Sequence, residues 1–224
     1  MKRSSAAGGP ARWLGILAFV LWLTAAGSGV ARAAEIMPPE PGPRPFRIAL
    51  VPVIDATGGW LDNQTATELM LRLEQELHIP LNNTMHWAEY LPEDDSWAAL
   101  KVEMKERGAK ARLRDAMQPL AAKLGADLTV AVEVTSFYEY RYINWEGETV
   151  IETSTRLTLF AYDAATDRLI KKTAGGFDVN SYHPSYEAGP KLLEALDDAL
   201  TEADLRPLLP PKRTAAETKA ASAA

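Results

Sequence analysis

The sequence predicts an α/β (α+β) fold: a single mixed β-sheet of about five strands with helices packed on it and an antiparallel meander in the second half. The first observation is the run from Arg47 to Ile54, which is apolar on both faces, as in a central strand covered from two sides. The second is the helical spacing of apolar residues in the segments that follow this run. The third is the alternation that begins at Leu128, which is typical of strands joined by short turns.

The first half of the chain predicts strands separated by helices, and this order implies parallel pairing of the early strands. Pro52 has no N–H to donate, which places it at a bulge or near the exit of the first strand. Thr65 and Glu68 form a capping-box pattern at the start of an amphipathic helix. The apolar face of this helix consists of Ala66, Leu69, Met70, Leu73 and Leu77. A short strand is predicted over residues 84–91.

Two more helices are predicted before the second half of the sheet. Ser96 can cap the first of them, which is broken near Gly108. The next helix begins at about Lys110 and contains Pro119, either as a kink or as the start of its final part. Gly125 is a natural C-cap for this helix.

The second half of the chain predicts a meander of three strands. The first begins at Leu128 as a half-buried strand and continues through Tyr142 to a turn near Glu146. The chain returns over residues 150–162, and a last strand is predicted over residues 169–177. The short turns between these strands impose antiparallel pairing.

The flanks of the sequence differ from its centre. Residues 34–45 contain five prolines, which predict an extended linker. A closing helix over about residues 186–205 completes a single domain at residues 46–209. Residues 210–224 are rich in alanine and charge without an apolar pattern, which predicts a disordered tail.

Residues 1–33 match the pattern of a secretory signal peptide. Lys2 and Arg3 give a basic end, an apolar core occupies residues 13–23, and Ala31–Ala33 supplies the A-x-A cleavage site. The alternative is an uncleaved membrane anchor, but the apolar run is short for a bilayer, which needs about 20 residues of helix. We therefore expect an extracytoplasmic protein, periplasmic or secreted, with no stable membrane insertion after cleavage.

Composition narrows the classes of function. The formal net charge is −6, and removal of residues 1–33 makes it more negative, because that segment carries basic residues and no acidic one. An acidic chain has no general attraction for phosphate backbones, so we expect no nucleic-acid partner. The chain has no cysteine, which excludes disulfides, thiol catalysis, cysteine metal sites and a lipoprotein anchor.

The sequence contains no recognisable catalytic constellation. The three histidines have no metal-ligand spacing, and neither a nucleophile elbow nor a P-loop occurs. The carboxylate pairs Asp94-Asp95 and Asp197-Asp198 are interpreted as solvated faces or helix-start charges, and Gly58-Gly59 as turn chemistry. We therefore predict no catalytic residue, no metal site and no cofactor.

Three stretches resemble a group of exported bacterial domains. They are residues 48–58, an apolar strand through a proline into a short polar loop, residues 121–128, a helix ending in Leu-Gly-Ala-Asp before a valine-rich strand, and residues 159–170, an Asp-centred turn between strands. The group includes the curli-secretion protein, lipoprotein activators of penicillin-binding proteins and the amino-terminal domain of the Tol system's propeller protein. The resemblance implies an α/β domain that binds proteins in the cell envelope and has no catalytic centre. This chain departs from the lipoproteins because it lacks their acylated cysteine.

The candidate binding residues are aromatic. Tyr138, Tyr140 and Tyr142 share one face of a predicted hairpin arm, and Trp145 lies near its turn. Large amphipathic rings are typical interface anchors, so we predict that these residues bind another envelope protein or a second copy of the chain. Two alternatives stay open: a cell-wall or glycan-binding module that stacks sugars on the rings, and a structural ladder covered by the chain's own tail or helix.

Overall fold

The fold is a mixed β-sheet with helices on both faces, seen in a computed structural model that describes residues 44–108 and 111–210. The strands in this part of the chain are β1 Phe46–Leu50, β2 Ile54–Asp55, β3 Ala88–Tyr90, β4 Leu128–Ile143, β5 Thr149–Asp163, β6 Arg168–Ala174 and β7 Phe177–Ser181. The α-helices are α1 Asn63–Leu77, α2 Asn82–Met85, α3 Glu93–Arg107, α4 Leu113–Leu124 and α5 Ala188–Ala203. The predicted signal peptide, almost all of the linker and almost all of the tail lie outside the described residues.

The sheet has the mixed topology that the sequence predicts. The strand order is β3-β1-β4-β5-β6, with β2 beside β4 and β7 beside β5. β1 pairs in parallel with β3 and β4, whereas β4, β5 and β6 form the antiparallel meander. The seven strands exceed the predicted number of about five because two predicted strands are each divided in two. The first strand is interrupted at Pro52 and continues as β2, and the last strand is interrupted at a pair of glycines and continues as β7.

Two hydrophobic cores cover the two faces of the sheet. On one face, leucines of α1 and α5 such as Leu69 and Leu196 pack against the sheet at Val132. On the other face, α3 and α4 pack through residues such as Met117 against Phe160. The helices therefore form the outer layers of a three-layer α/β/α arrangement, with the sheet between them.

The first part of β4 is buried on both faces, which corrects the prediction of a half-buried strand. In a half-buried strand that begins at Leu128, Thr129 and Ala131 would face solvent, but both are fully buried. Their side chains are small, and α4 packs over them on the second face of the sheet. The side chains of a central strand point alternately into two different cores. Alternation in the sequence alone does not distinguish such a strand from one whose second face is exposed to solvent.

Three local predictions in the first half are wrong in detail. α1 is capped by Asp62, whose carboxylate accepts a hydrogen bond from the Thr65 N–H at 2.8 Å, so the predicted capping box does not form. The predicted strand at residues 84–91 is replaced by α2 and the shorter β3. Ser96 lies inside α3, after an N-cap at Pro92, and its hydroxyl donates to the Pro92 carbonyl at 3.3 Å.

The predicted last strand divides into β6 and β7 at Gly175-Gly176. Both strands pair with β5 in one continuous register, from Asp163 opposite Arg168 to Val150 opposite Ser181. Gly175 has φ +102°, and a Cβ at this position would overlap the carbonyl oxygen of Thr155. Glycine is required here, and the edge of the sheet continues past it as β7.

Candidate functional site

A β-bulge decides which face the predicted tyrosines occupy. The pairing of β4 with β5 shifts by one residue between Val134 and Ser136, so that β4 contains one extra residue, Thr135. Before the bulge the odd-numbered residues of β4 face α3 and α4, and after it the even-numbered residues lie on that same side of the sheet. The predicted tyrosines are even-numbered and follow the bulge.

Beyond the bulge, three strands present an uncovered aromatic face. Its rows across the sheet are Tyr138–Ser154–Phe177, Tyr140–Glu152–Val179 and Tyr142–Val150–Ser181. We call this surface the aromatic face and define it by Tyr138, Tyr140, Tyr142, Phe177, Val179 and Glu152. Its five apolar side chains are between 36% and 60% exposed. The three tyrosines share a face, as predicted, and they are exposed to solvent.

Two of the tyrosines form a stacked pair. The ring centroids of Tyr140 and Tyr142 are 5.7 Å apart, and the ring planes differ by 25°. This geometry is a favourable arrangement for aromatic rings and orders both side chains before any partner binds.

Trp145 lies at the tip of the hairpin, outside the rows of the aromatic face. Its side chain is 92% exposed. The Asn144 side-chain oxygen accepts hydrogen bonds from the N–H groups of Glu146 and Glu148 at 3.0 and 2.9 Å, and this orders the turn around Trp145. Trp145 is therefore close to the tyrosines in sequence, but the structure places it on a separate part of the hairpin.

The sequence reasoning missed the contribution of β7. Phe177 and Val179 complete two rows of the aromatic face, whereas the last strand was predicted to end at Phe177. The alternation of Phe177, Val179 and Ser181 with polar residues was the available signal. Their position beside Glu152 depends on the pairing of β7 with β5, which is not visible in the local sequence.

The opposite face of the hairpin is fixed to the N-terminus of α5. The carboxylate of Glu139 accepts a hydrogen bond from the Ala188 N–H at 2.9 Å. Arg141 donates to Glu187 at 2.9 Å, and its guanidinium carbon lies 4.7 Å from the centre of the Tyr182 ring. The hydrogen bond to Glu139 raises the pKa of Arg141, and the hydrogen bond to Glu187 raises the pKa of Tyr182. The bond between Glu139 and Ala188 is partly buried, whereas the contacts of Arg141 are solvent-exposed and contribute mainly orientation. Together they hold the hairpin so that its aromatic face is turned outward.

The carboxylate pairs do not converge. Asp94 and Asp95 are exposed in the first turn of α3, on one side of the sheet. Asp197 and Asp198 lie on α5, on the other side, and Asp197 is 3.6 Å from Arg72. Two carboxylate pairs separated by a sheet cannot act on one substrate.

The histidines occupy helix ends. His78 and His86 are the C-cap residues of α1 and α2, and His183 accepts a hydrogen bond from the Ser185 N–H at 3.2 Å. Among residues 44–108 and 111–210, no cluster of three or more His, Cys, Asp or Glu side chains could hold a metal ion. In the same residues, none of the helices combines the length and the apolar character needed to cross a bilayer.

A cleft with a volume of about 710 Å³ lies between α4 and the β5–β6 turn. Its central polar groups bond to one another, since Asp167 accepts hydrogen bonds from the Tyr162 hydroxyl at 2.6 Å and from Gln118 at 3.1 Å. The bond to Asp167 raises the pKa of Tyr162. These contacts join the β5–β6 turn to α4, so they have a structural role in the fold.

Comparison with known proteins gives matches among solved structures only. No family model matches the chain, and no curated protein matches it. Similar structures include the PelC dodecamer from Paraburkholderia phytofirmans (9% identity, TM-score 0.35, covering 72% of this chain and 92% of that one). They also include lipoprotein GNA1162 from Neisseria meningitidis (15%, 0.35, 70% and 99%) and the LpoB C-terminal domain from Salmonella enterica (17%, 0.30, 63% and 87%). The matches agree with the resemblance stated from the sequence at the level of the fold, and at these identities and TM-scores they indicate no partner or activity for this chain.

Proposed function

We propose that this chain is an exported, non-catalytic domain of the bacterial cell envelope that binds another protein through the aromatic face. The observation that carries the proposal is the cluster of large exposed side chains on one side of the sheet: Tyr138, Tyr140 and Tyr142 on β4, and Phe177 and Val179 on β7. Between these two strands lies β5, which contributes Glu152 to the same face. A concentration of large exposed apolar side chains on one face of a domain is typical of an interaction site.

The physical properties of this surface suit a protein interface. Tyrosine and phenylalanine bury a large area while they lose little side-chain freedom, so such rings are common anchors at interfaces. The bonds of Glu139 and Arg141 on the opposite side reduce the freedom of the hairpin, and a pre-organised surface loses less entropy when it binds.

The non-catalytic part of the proposal rests on the positions of the titratable groups. The carboxylate pairs Asp94-Asp95 and Asp197-Asp198 lie on opposite sides of the sheet, and in the cleft beside α4 the carboxylate of Asp167 is bonded to Tyr162 and Gln118. Export rests on residues 1–33 and the A-x-A site. Sequencing the amino end of the exported protein tests it: a start at Ala34 supports cleavage, and a start at Met1 or Lys2 contradicts it.

A glycan-binding module is the alternative function for the same aromatic residues. Sugars stack on open ring faces. Tyr140 and Tyr142 stack on each other, so each ring already uses one of its faces. This arrangement favours a protein partner that packs against the ring edges and the neighbouring apolar residues. Sedimentation with purified cell wall tests the alternative, which predicts that the chain co-sediments.

The experiment for the proposed function compares two double variants. Tyr140→Ala/Tyr142→Ala removes the stacked pair, and Leu71→Ala/Val102→Ala removes exposed apolar side chains on α1 and α3 as the matched control. Each bait is used to recover proteins from an envelope extract, with quantification by mass spectrometry. We expect the tyrosine variant to lose a specific partner by about tenfold or more, because interface tyrosines are common hot spots. Equal recovery of every protein by the wild type and both variants would contradict the proposal.

The folded state of the variants is checked by circular dichroism and thermal unfolding. All four side chains are exposed, so we expect each double variant to unfold within a few degrees of the wild type. A variant that loses binding and keeps its stability then shows that the substituted surface residues contact the partner.

A further inference from the structure

β7 is a free edge of the sheet beside the aromatic face. It pairs with β5 and with no other strand in the described residues. In an antiparallel pair, successive residues alternate between bonding the neighbour and pointing their N–H and C=O away from it. The hydrogen bonds Tyr182 N–H to Thr149 O (2.8 Å) and Thr155 N–H to Gly176 O (2.9 Å) fix this alternation for β7.

The outward backbone groups belong to the same residues that form the aromatic face. Asp178 and Asn180 direct their backbone groups at β5, whereas Phe177, Val179 and Ser181 direct theirs outward. No residue in 44–108 or 111–210 forms a backbone hydrogen bond with these outward groups.

β7 carries no lysine, arginine or proline, and its one charged residue, Asp178, lies on the side of the sheet that faces α5. Natural edges are protected by charged side chains, above all lysine, and by proline, bulges or a covering element. The neighbouring edge strand β6 contains Arg168, Lys171 and Lys172, but the sequence of β7 is Phe-Asp-Val-Asn-Ser. The less protected part of the edge is therefore the part beside the aromatic face.

Glu152 is an unpaired carboxylate within this face. It is partly buried in the row between Tyr140 and Val179, and no described residue forms an ion pair with it. A carboxylate beside an aromatic ring is suited to a cation, which gains both the ion pair and the interaction with the ring.

We infer that the partner is an extended segment of another protein that adds to the sheet as a strand along β7 and places one lysine or arginine at Glu152. The inference rests on the proposed function and specifies the partner of the aromatic face. Backbone pairing with Phe177, Val179 and Ser181 supplies affinity, and apolar side chains of the added strand extend the aromatic face. Recognition by strand addition uses these two contributions together.

Distance restricts the residue that can reach Glu152. Neighbouring strands lie about 4.8 Å apart, so a residue of the added strand opposite Val179 is two strands, roughly 10 Å, from the Glu152 row position. Only the long side chains of lysine and arginine span this distance while their stems pack on Val179.

Charge complementarity separates this partner from a second copy of the chain. A second copy that added its own β7 would present Phe-Asp-Val-Asn-Ser, which contains no cation. It would also bring a second Glu152 to the same side of the sheet, and the chain already carries a net charge of −6. A basic, alternating apolar segment of a different protein meets both requirements.

The test uses photo-crosslinking of the full chain in the bacterium that produces it. A benzoylphenylalanine at Ser181 lies on the outward edge, and the crosslinked peptide is sequenced by mass spectrometry. Val179→Pro removes one outward N–H and leaves the hydrogen bonds to β5, while Val179→Ala is the control for the lost side chain. We expect Val179→Pro to reduce the crosslink about tenfold and Val179→Ala to reduce it much less.

A second variant keeps the test informative if Val179→Pro unfolds. Glu152→Lys reverses the charge that receives the cation, and we expect it to lose the crosslink about tenfold or more. Reversal of the partner's basic residue to glutamate should restore the crosslink to Glu152→Lys. A crosslinked peptide without lysine or arginine, or one from this chain itself, would overturn the inference. So would full crosslinking by a folded Val179→Pro variant, or no crosslink in the wild type.

These results distinguish the inference from the proposed function. If Tyr140→Ala/Tyr142→Ala loses the partner and folded Val179→Pro retains it, the aromatic face binds a partner but not by strand addition. If both variants retain the partner, both proposals fail. If both lose it and Val179→Ala retains it, the partner pairs with the backbone of β7.

Discussion

The carboxylate of Glu139 accepts a hydrogen bond from the Ala188 N–H at 2.9 Å, so a residue of β4 caps the N-terminus of α5. The helix has no capping side chain of its own at Glu187. The unpaired N–H groups and the partial positive charge at a helix N-terminus favour such a carboxylate. One contact therefore stabilises the helix and fixes the hairpin that carries the aromatic face.

Replacement of Glu139 tests this relationship. We expect Glu139→Ala to lower the free energy of unfolding by about 1 kcal/mol, the usual effect of losing a helix cap. Amide hydrogen exchange in the outer part of β4 should also become faster. Urea unfolding and hydrogen exchange measure the two effects, with the exposed Glu146→Ala as the control. Equal stability and exchange in the two variants would contradict the capping role.

Gly175 and Gly176 provide a matched pair at the break between β6 and β7. Gly175 has φ +102° and no room for a Cβ beside Thr155, whereas a Cβ on Gly176 meets nothing within 4 Å. We expect Gly175→Ala to lower the free energy of unfolding by about 1–3 kcal/mol, because it adds backbone strain and displaces β5 or β7. Gly176→Ala should change it by less than about 1 kcal/mol. Denaturant unfolding compares the two, and a larger effect at Gly176 would contradict the geometry.

The lowered pKa of Asp62 predicts a contribution to the free energy of unfolding that is lost in acid. Burial tends to raise its pKa, but the hydrogen bonds from the Thr65 N–H and hydroxyl prevail and hold the pKa below its usual 3.8. A carboxyl group whose pKa is lowered by folding stabilises the protein above its unfolded pKa, and this contribution is lost as pH falls through the folded pKa. We expect Asp62→Ala to lose about 1 kcal/mol at neutral pH and much less in strong acid.

Asp62→Asn is the control for the cap of α1. Asparagine keeps an oxygen that accepts the Thr65 N–H but does not ionise, so it should retain most of the stability without the pH dependence. Urea unfolding across the acid range gives both values. A constant difference between the wild type and Asp62→Ala at every pH would contradict the role of the charge.

The raised pKa of Glu133 predicts the opposite dependence of stability on pH. Burial in β4 raises its pKa above the usual 4.5, and Lys171 offsets only part of this rise. The folded state then holds the proton more tightly than the unfolded state, so stability falls as pH rises from 4.5 through the raised pKa. We expect Glu133→Gln to raise the melting temperature at neutral pH, with the gain disappearing in acid. Thermal unfolding against pH checks this, and a variant less stable than the wild type at neutral pH would contradict it.

The local elements were predictable because their signals lie within short segments. The apolar run through Ile48, the helical spacing of Leu69 and Leu73, and the alternation from Leu128 each identify an element from neighbouring residues. Gly125 ends α4 in a left-handed conformation with φ 60°, as its sequence position predicts. The cap of α1 was assigned to the wrong residue because Asp62 and Thr65 both have capping side chains, and only the geometry selects Asp62.

The candidate site was predictable only in part. The alternation of Tyr138, Tyr140 and Tyr142 predicted a shared face, which the structure has. Phe177, Val179 and Glu152 joined that face through pairings between β5 and β7 across more than twenty residues of chain. No local periodicity encodes such pairings, because loop geometry and register decide them.

The sequence by itself determined the type and order of the long elements, the mixed sheet and the absence of cysteine chemistry, because apolar periodicity and composition are local properties. Only the tertiary structure decided where the tyrosines point and what lies beside them. The extra residue Thr135 decides on which side of the sheet the tyrosines lie, and Glu139 fixes the hairpin to Ala188. Gly175 allows the edge of the sheet to continue from β6 into β7. Each of these depends on a contact between residues far apart in the chain, and such contacts exist only once the sheet has formed.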